Sequence, residues 1–439
     1  MPFATLPRPA VPETFSFYQI FVRNYTREGD FAAASARLGE AKRLGFDWIY
    51  LTPIHPIGKA ARKGSLGSPY AIADYRAVNP EFGGLADFKA FAAAVHALGL
   101  KLMIDVVYNH SSPDSVLAMA HPEWFLRGAD GRPGRKCEDW SDVVDFDFRS
   151  SPALWDELID TLVQWRDLGV DGFRCDVASL VPAEFWIEAR RRVNLADPKT
   201  GREAKPVVWL AESVHPGFLR SMRARGFGGV SESELHAAFD LSYDYDGWER
   251  LERCWAGTKP LSFYLDYLEV QAALYPENAR KIRYLENHDQ RRAAERFGRG
   301  DRLEAWTAAM QFLPGCSLAY MGQELAIEGR PSLFDADRVD WASGDAGFAG
   351  FFAACFAATQ RAKAEAPEFA WLEPAAGVLL AERRGPGVRY RLLANLDGRN
   401  GPIELPEAIA GVNLLDGRTV ELSGRIELPR GAVLTREAV

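Results

Sequence analysis

The sequence predicts a closed (β/α)8 TIM barrel, an α/β fold, with a short inserted subdomain after the third strand and a C-terminal antiparallel β domain. Three observations predict it. Eight apolar runs of strand length, rich in β-branched and aromatic residues, alternate with amphipathic helical stretches, the pattern of a parallel sheet with crossover helices. Several of these runs end in polar residues, and in a closed parallel barrel such ends meet on one face. At 439 residues the chain is long enough for one large domain and a small satellite.

Taken in order, a Pro-rich lead (Pro7, Pro9, Pro12) precedes predicted strands at Tyr18–Val22, Asp47–Leu51, Leu102–Val107, Gly172–Cys175, Val207–Ala211, Phe239–Ser242, Ile282–Leu285 and Ser317–Tyr320. Between them, apolar residues recur at helical spacing in Phe31–Leu44, Leu85–Ala97, Ala153–Asp167 and Leu303–Phe312. The interval from His110 to Ser150 breaks this rhythm with Gly, Pro, Asp and Trp in no helical period. A long excursion inside a compact domain is usually functional. These features divide the chain into a barrel (1–110 and 151–368), an inserted subdomain (111–150) and a C-terminal domain (369–439). In the last, short runs at Val378–Glu382, Val388–Ala394, Val412–Leu415 and Arg425–Leu428 are punctuated by Gly and Pro.

Composition excludes several classes of partner. A net charge of −8 and a pI near 5.6 argue against nucleic acid, whose binding rests on clustered Lys and Arg, and leave a neutral ligand. The five cysteines, at 137, 175, 254, 316 and 355, show neither a CxxC pair nor metal-ligand spacing, so reduced thiols are expected. No apolar run reaches membrane-spanning length, and Met1–Thr14 lacks a basic start followed by an apolar core. A cytoplasmic location and no membrane partner are therefore expected. Oligomeric state is not readable from the chain.

The chemistry is carried by four segments: Asp105-Val106-Val107-Tyr108-Asn109-His110, Gly172-Phe173-Arg174-Cys175-Asp176, Leu210-Ala211-Glu212-Ser213 and Leu285-Glu286-Asn287-His288-Asp289. Arg174 and Asp176 are two apart, so on an extended segment both side chains point the same way. A guanidinium there keeps the carboxylate ionised and aims its oxygens, as a nucleophile requires. Glu212 follows Val207-Val208-Trp209-Leu210-Ala211, and apolar surroundings raise a carboxyl pKa, which suits a proton donor. Taken singly, each has a plainer reading: a structural ion pair for Arg174 and Asp176, a solvated loop residue for Glu212, an Asx turn for Asp289.

Together and in this order, the four segments resemble the signature regions of the α-amylase family, retaining α-glucoside-acting enzymes built on (β/α)8 barrels. The likeness runs from about Phe17 to Gln323. It implies Asp176 as nucleophile, Glu212 as general acid/base and Asp289 as the third carboxylate, holding sugar hydroxyls and stabilising the transition state. It also implies substrate-binding or supporting roles for Tyr70, a stacking tyrosine, for Asp105 behind Arg174, and for His110, Asn287 and His288. The expected activity is hydrolysis of α-glucosidic, mainly α-1,4, bonds in short maltodextrins. A transglycosylase or isomerase of the same family differs only in what enters the second step, and a catalytically silent carbohydrate-binding protein is the alternative from another class.

Two departures from the family pattern bear on detail. Asp176 is followed by Val177-Ala178-Ser179-Leu180 rather than Lys-His. The Val-Ala pair is nearer the neopullulanase and cyclomaltodextrinase branch, without that branch's N-terminal module. No cofactor is required by the resemblance, but calcium is possible. Asn109 and Asp145 match side-chain ligands, while the family's His position is Leu180 and offers only a main-chain oxygen. The loop Arg23 to Asp30 lacks the Asp-x-Asn-x-Asp-Gly pattern of oligo-1,6-glucosidases, so no metal is assigned there.

Overall fold

The computed structural model describes residues 8–128, 131–196 and 201–439. Eight strands form a closed, all-parallel barrel: β1 (Ser16–Ile20), β2 (Trp48–Leu51), β3 (Lys101–Val106), β4 (Gly172–Cys175), β5 (Val208–Ala211), β6 (Leu241–Tyr243), β7 (Arg280–Arg283) and β8 (Cys316–Tyr320). They lie in sequence order, and β8 closes onto β1 with Ser16 opposite Ser317. Both faces of such strands are covered, which is why they read as unbroken apolar runs rather than alternating ones. Phe17, Ile49, Leu102, Ile104, Phe173, Trp209, Leu241 and Ile282 are all fully buried.

The helices follow their sequence signals closely. The helix Phe31–Leu44 starts where Asp30 accepts a hydrogen bond from the Ala33 amide at 2.8 Å, and ends at Gly45 with φ 96°, a left-handed stop that favours glycine. The helix Pro152–Asp167 begins one residue before the predicted Ala153, because Ser151 caps it and Pro152 suits its first turn.

Two strands start two residues earlier than predicted: β1, predicted at Tyr18–Val22 and observed at Ser16–Ile20, and β7, predicted at Ile282–Leu285 and observed at Arg280–Arg283. Charged residues argue against a barrel strand, but the two buried ones in β7 are compensated. Lys281 pairs with Glu232 and, at 3.0 Å, with Asp246. Arg283 pairs with Asp244 and donates to the Pro314 carbonyl at 2.7 Å. Likewise β6 is shifted from Phe239–Ser242 to Leu241–Tyr243.

Between β3 and β4 the chain makes a short antiparallel pair, His110–Ser111 with Val144–Asp145, around buried Trp124, Phe125, Phe146 and Phe148. After the helix Ala346–Glu365, a four-stranded antiparallel sheet is built from Glu368–Ala375, Val378–Gly385, Val388–Asn395 and Ala432–Ala438. Two small ribbons flank it, Pro402–Glu404 with Arg425–Glu427 and Ile409–Val412 with Thr419–Leu422. The predicted strand Val412–Leu415 is instead the end of one strand and a turn. There Asn413 Oδ1 accepts from the Leu415 and Leu434 amides, and Gly417 sits at φ 76°. Among the described residues no helix is long and apolar enough to cross a membrane. All five cysteines are free thiols, four of them buried.

Candidate active site

At the C-terminal mouth of the barrel, register places Asp105 of β3 opposite Arg174 of β4. Arg174 is wholly buried, and its Nη1 donates to Asp105 Oδ1 and to Asp176 Oδ1, each at 2.8 Å. Its Nη2 lies 2.7 Å from Glu212 Oε1, as an ion-pair contact and not an aligned hydrogen bond. One guanidinium therefore joins three carboxylates from three consecutive strands. Asp176 Oδ2 makes no hydrogen bond to the protein and has His110 Nε2 3.9 Å away. Glu212 Oε2 accepts the Val177 amide at 2.8 Å, and Tyr245 Oη is 3.5 Å from Oε1.

Val177 can reach Glu212 because it adopts φ 42°. A left-handed conformation is an outlier for a β-branched residue, and such strain is usually held at a functional site. It turns the chain directly after Asp176. No sequence signal marks it.

The electrostatics separate the two carboxyls. Burial pushes Glu212 up to about 7 and Asp176 up to about 6, with Arg174 pulling both back. Asp176 therefore ionises first, and near neutral pH the pair is a carboxylate beside a carboxylic acid. Burial also keeps the His110 imidazole neutral by lowering its pKa.

Asp289 lies on the loop after β7 and keeps 40 % of its side chain accessible. Desolvation in the barrel mouth pushes its carboxyl up, but the His288 ring and Arg174 outweigh this and hold it well below the usual carboxylate range. His288 is wholly buried: Nε2 sits 3.0 Å from Asp289 Oδ2 and 2.6 Å from Tyr70 Oη, and Nδ1 sits 2.8 Å from Gln19 Nε2. One consistent proton assignment leaves only Gln19 Oε1 of these groups without a partner. Gln19 donates to Nδ1, Nε2–H faces Asp289 and Tyr70, and the Tyr70 hydroxyl donates to Asp105 Oδ2 at 2.9 Å. The Tyr70 ring stacks on His288 with centroids 5.5 Å apart.

The structure thus gathers Asp176, Glu212, Asp289, Arg174, Asp105, Tyr70, His110 and His288 around one cleft. Asn287, expected to bind substrate, is fully buried beside His288; its Oδ1 accepts the amides of Asp289 and Gln290 at 2.9 and 3.0 Å, and its Nδ2 has no partner in the protein. The Asx turn expected of Asp289 is made by Asn287, which shapes the loop that presents Asp289. Sequence reading also missed Gln19, Tyr50, whose hydroxyl donates to Asp105 Oδ2 at 2.9 Å, and Trp140, whose ring lies 5.6 Å from that of His110.

Asn109 and Asp145, the candidate calcium ligands, are adjacent, with Asn109 Nδ2 donating to Asp145 Oδ1 at 2.9 Å. They do not fit a calcium ion. Calcium needs six to eight oxygens, whereas here Lys136 Nζ donates to Asn109 Oδ1 at 2.7 Å and to the Leu180 carbonyl at 3.1 Å. The second oxygen of Asp145 accepts the Lys136 amide. Among the described residues, no group of three or more His, Cys, Asp or Glu side chains is arranged to hold a metal.

Comparison with known proteins agrees with this site. The α-amylase catalytic-domain profile matches residues 15–129 and 138–348. An α-amylase structure from Lactobacillus plantarum superposes with a TM-score of 0.89 at 40 % identity, over 97 % of this chain and 99 % of that one. A maltogenic α-amylase from Thermotoga neapolitana gives 0.84 at 29 % identity with the same coverage. The α-amylase MalA of Haloarcula japonica is 31 % identical over 76 % of this chain and 47 % of its own. An α-1,4-glucan:maltose-1-phosphate maltosyltransferase of Myxococcus xanthus is 33 % identical over 54 % of this chain and 36 % of its own. The chain spans less than half the length of these two curated relatives. With the catalytic-domain profile covering most of the barrel, and a structure at 40 % identity matched along nearly its whole length, the chain belongs to the α-amylase family.

Proposed function

We propose that this protein is a retaining glycoside hydrolase that cleaves α-1,4-glucosidic bonds in short maltodextrins. The observation that carries this reading is the Arg174 guanidinium bridging Asp176 and Glu212. It holds one carboxylate as nucleophile beside one protonated acid. Asp176 attacks the anomeric carbon while Glu212 delivers its proton to the leaving glycosidic oxygen, giving a covalent glycosyl-enzyme. Glu212, now ionised, takes a proton from water, whose oxygen attacks the same carbon and releases Asp176. Asp289, ionised and accessible, is the group for sugar hydroxyls.

The α-amylase names of relatives at 40 % and 31 % identity support hydrolysis. The maltosyltransferase relatives favour a second reading, in which a sugar rather than water enters the second step. Incubation with maltotriose separates the two: glucose and maltose alone mean hydrolysis, and products longer than the substrate mean transfer. No turnover of any α-glucan would leave the silent carbohydrate-binding alternative. We place the activity in the cytoplasm, on the grounds that five unpaired thiols suit a reducing compartment.

A further inference from the structure

We propose that the Lys136 ammonium is the resident cation of this fold's barrel-to-insertion junction, standing where a divalent ion would sit, and that it acts as a positioning residue for His110. The clause about His110 rests on the function proposed above; the clause about the cation does not.

Lys136 is 5 % exposed. A buried ammonium persists only where acceptors surround it, and three chain segments supply them. Asn109, past the end of β3, gives its amide oxygen. Leu180, in the turn after β4, gives its carbonyl. Asp145, on the returning strand of the inserted segment, balances the charge, and its two oxygens are taken by N–H donors, Asn109 Nδ2 and the Lys136 amide. The side chain therefore ties the inserted segment to the ends of two catalytic strands. The family profile leaves residues 130–137 unmatched, so Lys136 lies in a stretch that the profile does not describe.

The consequence reaches the nucleophile through one amide. With its oxygen on the ammonium, Asn109 must turn its NH2 the other way, to Asp145 Oδ1 and, at 3.1 Å, to His110 Nδ1. A ring nitrogen that faces a donor is the acceptor, so the neutral imidazole carries its proton on Nε2. That nitrogen is 3.9 Å from Asp176 Oδ2. The ammonium thereby selects the tautomer that points an N–H at the nucleophile and at any hydroxyl bound beside it. A divalent ion would orient Asn109 the same way; here a side chain does so without one.

The test has two arms on the full chain. In the first, unfolding is followed with a chelator and with millimolar calcium chloride, and calcium binding is titrated calorimetrically. No shift of Tm and no saturable binding are expected; a Tm that falls with chelator, or stoichiometric calcium uptake, overturns the proposal. In the second, Lys136→Met removes the charge and keeps the stem. It should lower kcat roughly 10- to 100-fold, the scale of a misplaced catalytic group, with a smaller change in KM. The ¹⁵N shifts of His110 should move from a single Nε2–H tautomer to a mixture. Wild-type kcat with an unchanged His110 spectrum overturns the positioning role. If Lys136→Met does not fold, Lys136→Ala in calcium chloride decides, since the freed oxygens should then make its Tm rise with calcium, and a flat response counts against the shared seat. The ring shifts and the calcium arm need no substrate, so they separate this proposal from the choice of glucan.

Discussion

The Nη2 atom of Arg174 lies 2.7 Å from Oε1 of Glu212, although Arg174 is on β4 and Glu212 follows β5, 38 positions on in the chain. The same guanidinium donates to Asp176 through Nη1. The acid and the nucleophile are thus held by one rigid planar group, which fixes their separation better than two independent side chains would.

Asp176→Asn should remove nearly all turnover, about 10³-fold or more, because an amide is a poor nucleophile. Its Tm should stay near that of the native protein. A fluorinated glycosyl inhibitor should label the peptide containing Asp176, and labelling elsewhere would sink the assignment.

Activity should follow a narrow bell in pH. Asp176 must be ionised, so kcat/KM should fall as pH drops through about 6. Glu212 must be protonated, so kcat/KM should fall as pH rises through about 7. With an α-glycosyl fluoride, whose leaving group needs no proton, the alkaline limb of the glycosylation step should disappear while the acid limb stays. An unchanged alkaline limb would mean that some group other than Glu212 sets it.

Double displacement inverts the anomeric carbon twice, so the first sugar released from an α-linked substrate should be the α-anomer. Proton NMR of the earliest products checks this. A β-anomer would exclude Asp176 as a covalent nucleophile.

Tyr70→Phe removes the hydroxyl shared by Asp105 Oδ2 and His288 Nε2. Leaving those partners short of one hydrogen bond should cost about 1–3 kcal/mol, or roughly 10- to 100-fold in kcat/KM if the loss falls on the transition state. Asp289 should be the group that feels it, through His288. A double-mutant cycle of Tyr70→Phe with His288→Gln should show strong non-additivity, and simple additivity would mean that the two side chains act separately.

The inserted segment brings Trp140 beside His110, and on the function proposed above a segment of its length is expected to bound few sugar subsites. Binding energy available for a long polymer is then small. Compared per mole of chain, kcat/KM for maltotetraose should exceed that for amylose. A clear preference for amylose would count against the short-cleft reading.

Much of this protein was legible in one dimension, for a physical reason. A barrel strand buried on both faces must be apolar along its length, and its last residues must face the mouth. Hence Ile20, Ile49 and Trp209 announce strands, and Asp176 and Glu212, each the first residue past one, announce the site. Apolar periodicity placed these helices to within a residue, although the caps Asp30 and Ser151, which set their starts, were not read from it. What only the tertiary structure decided depends on chain segments that return from far away. Lys281 and Arg283 disguise β7 because the acids that compensate them, Glu232, Asp244 and Asp246, lie on other segments. That the Asn287 oxygen closes the turn presenting Asp289, leaving only its Nδ2 unpartnered, shows only in three dimensions. Lys136 lies on an irregular stretch with no period to place it, and its partners Asn109 and Leu180 are 27 and 44 residues distant. Periodicity records which face a residue buries, whereas a single long-range polar contact leaves no periodic trace.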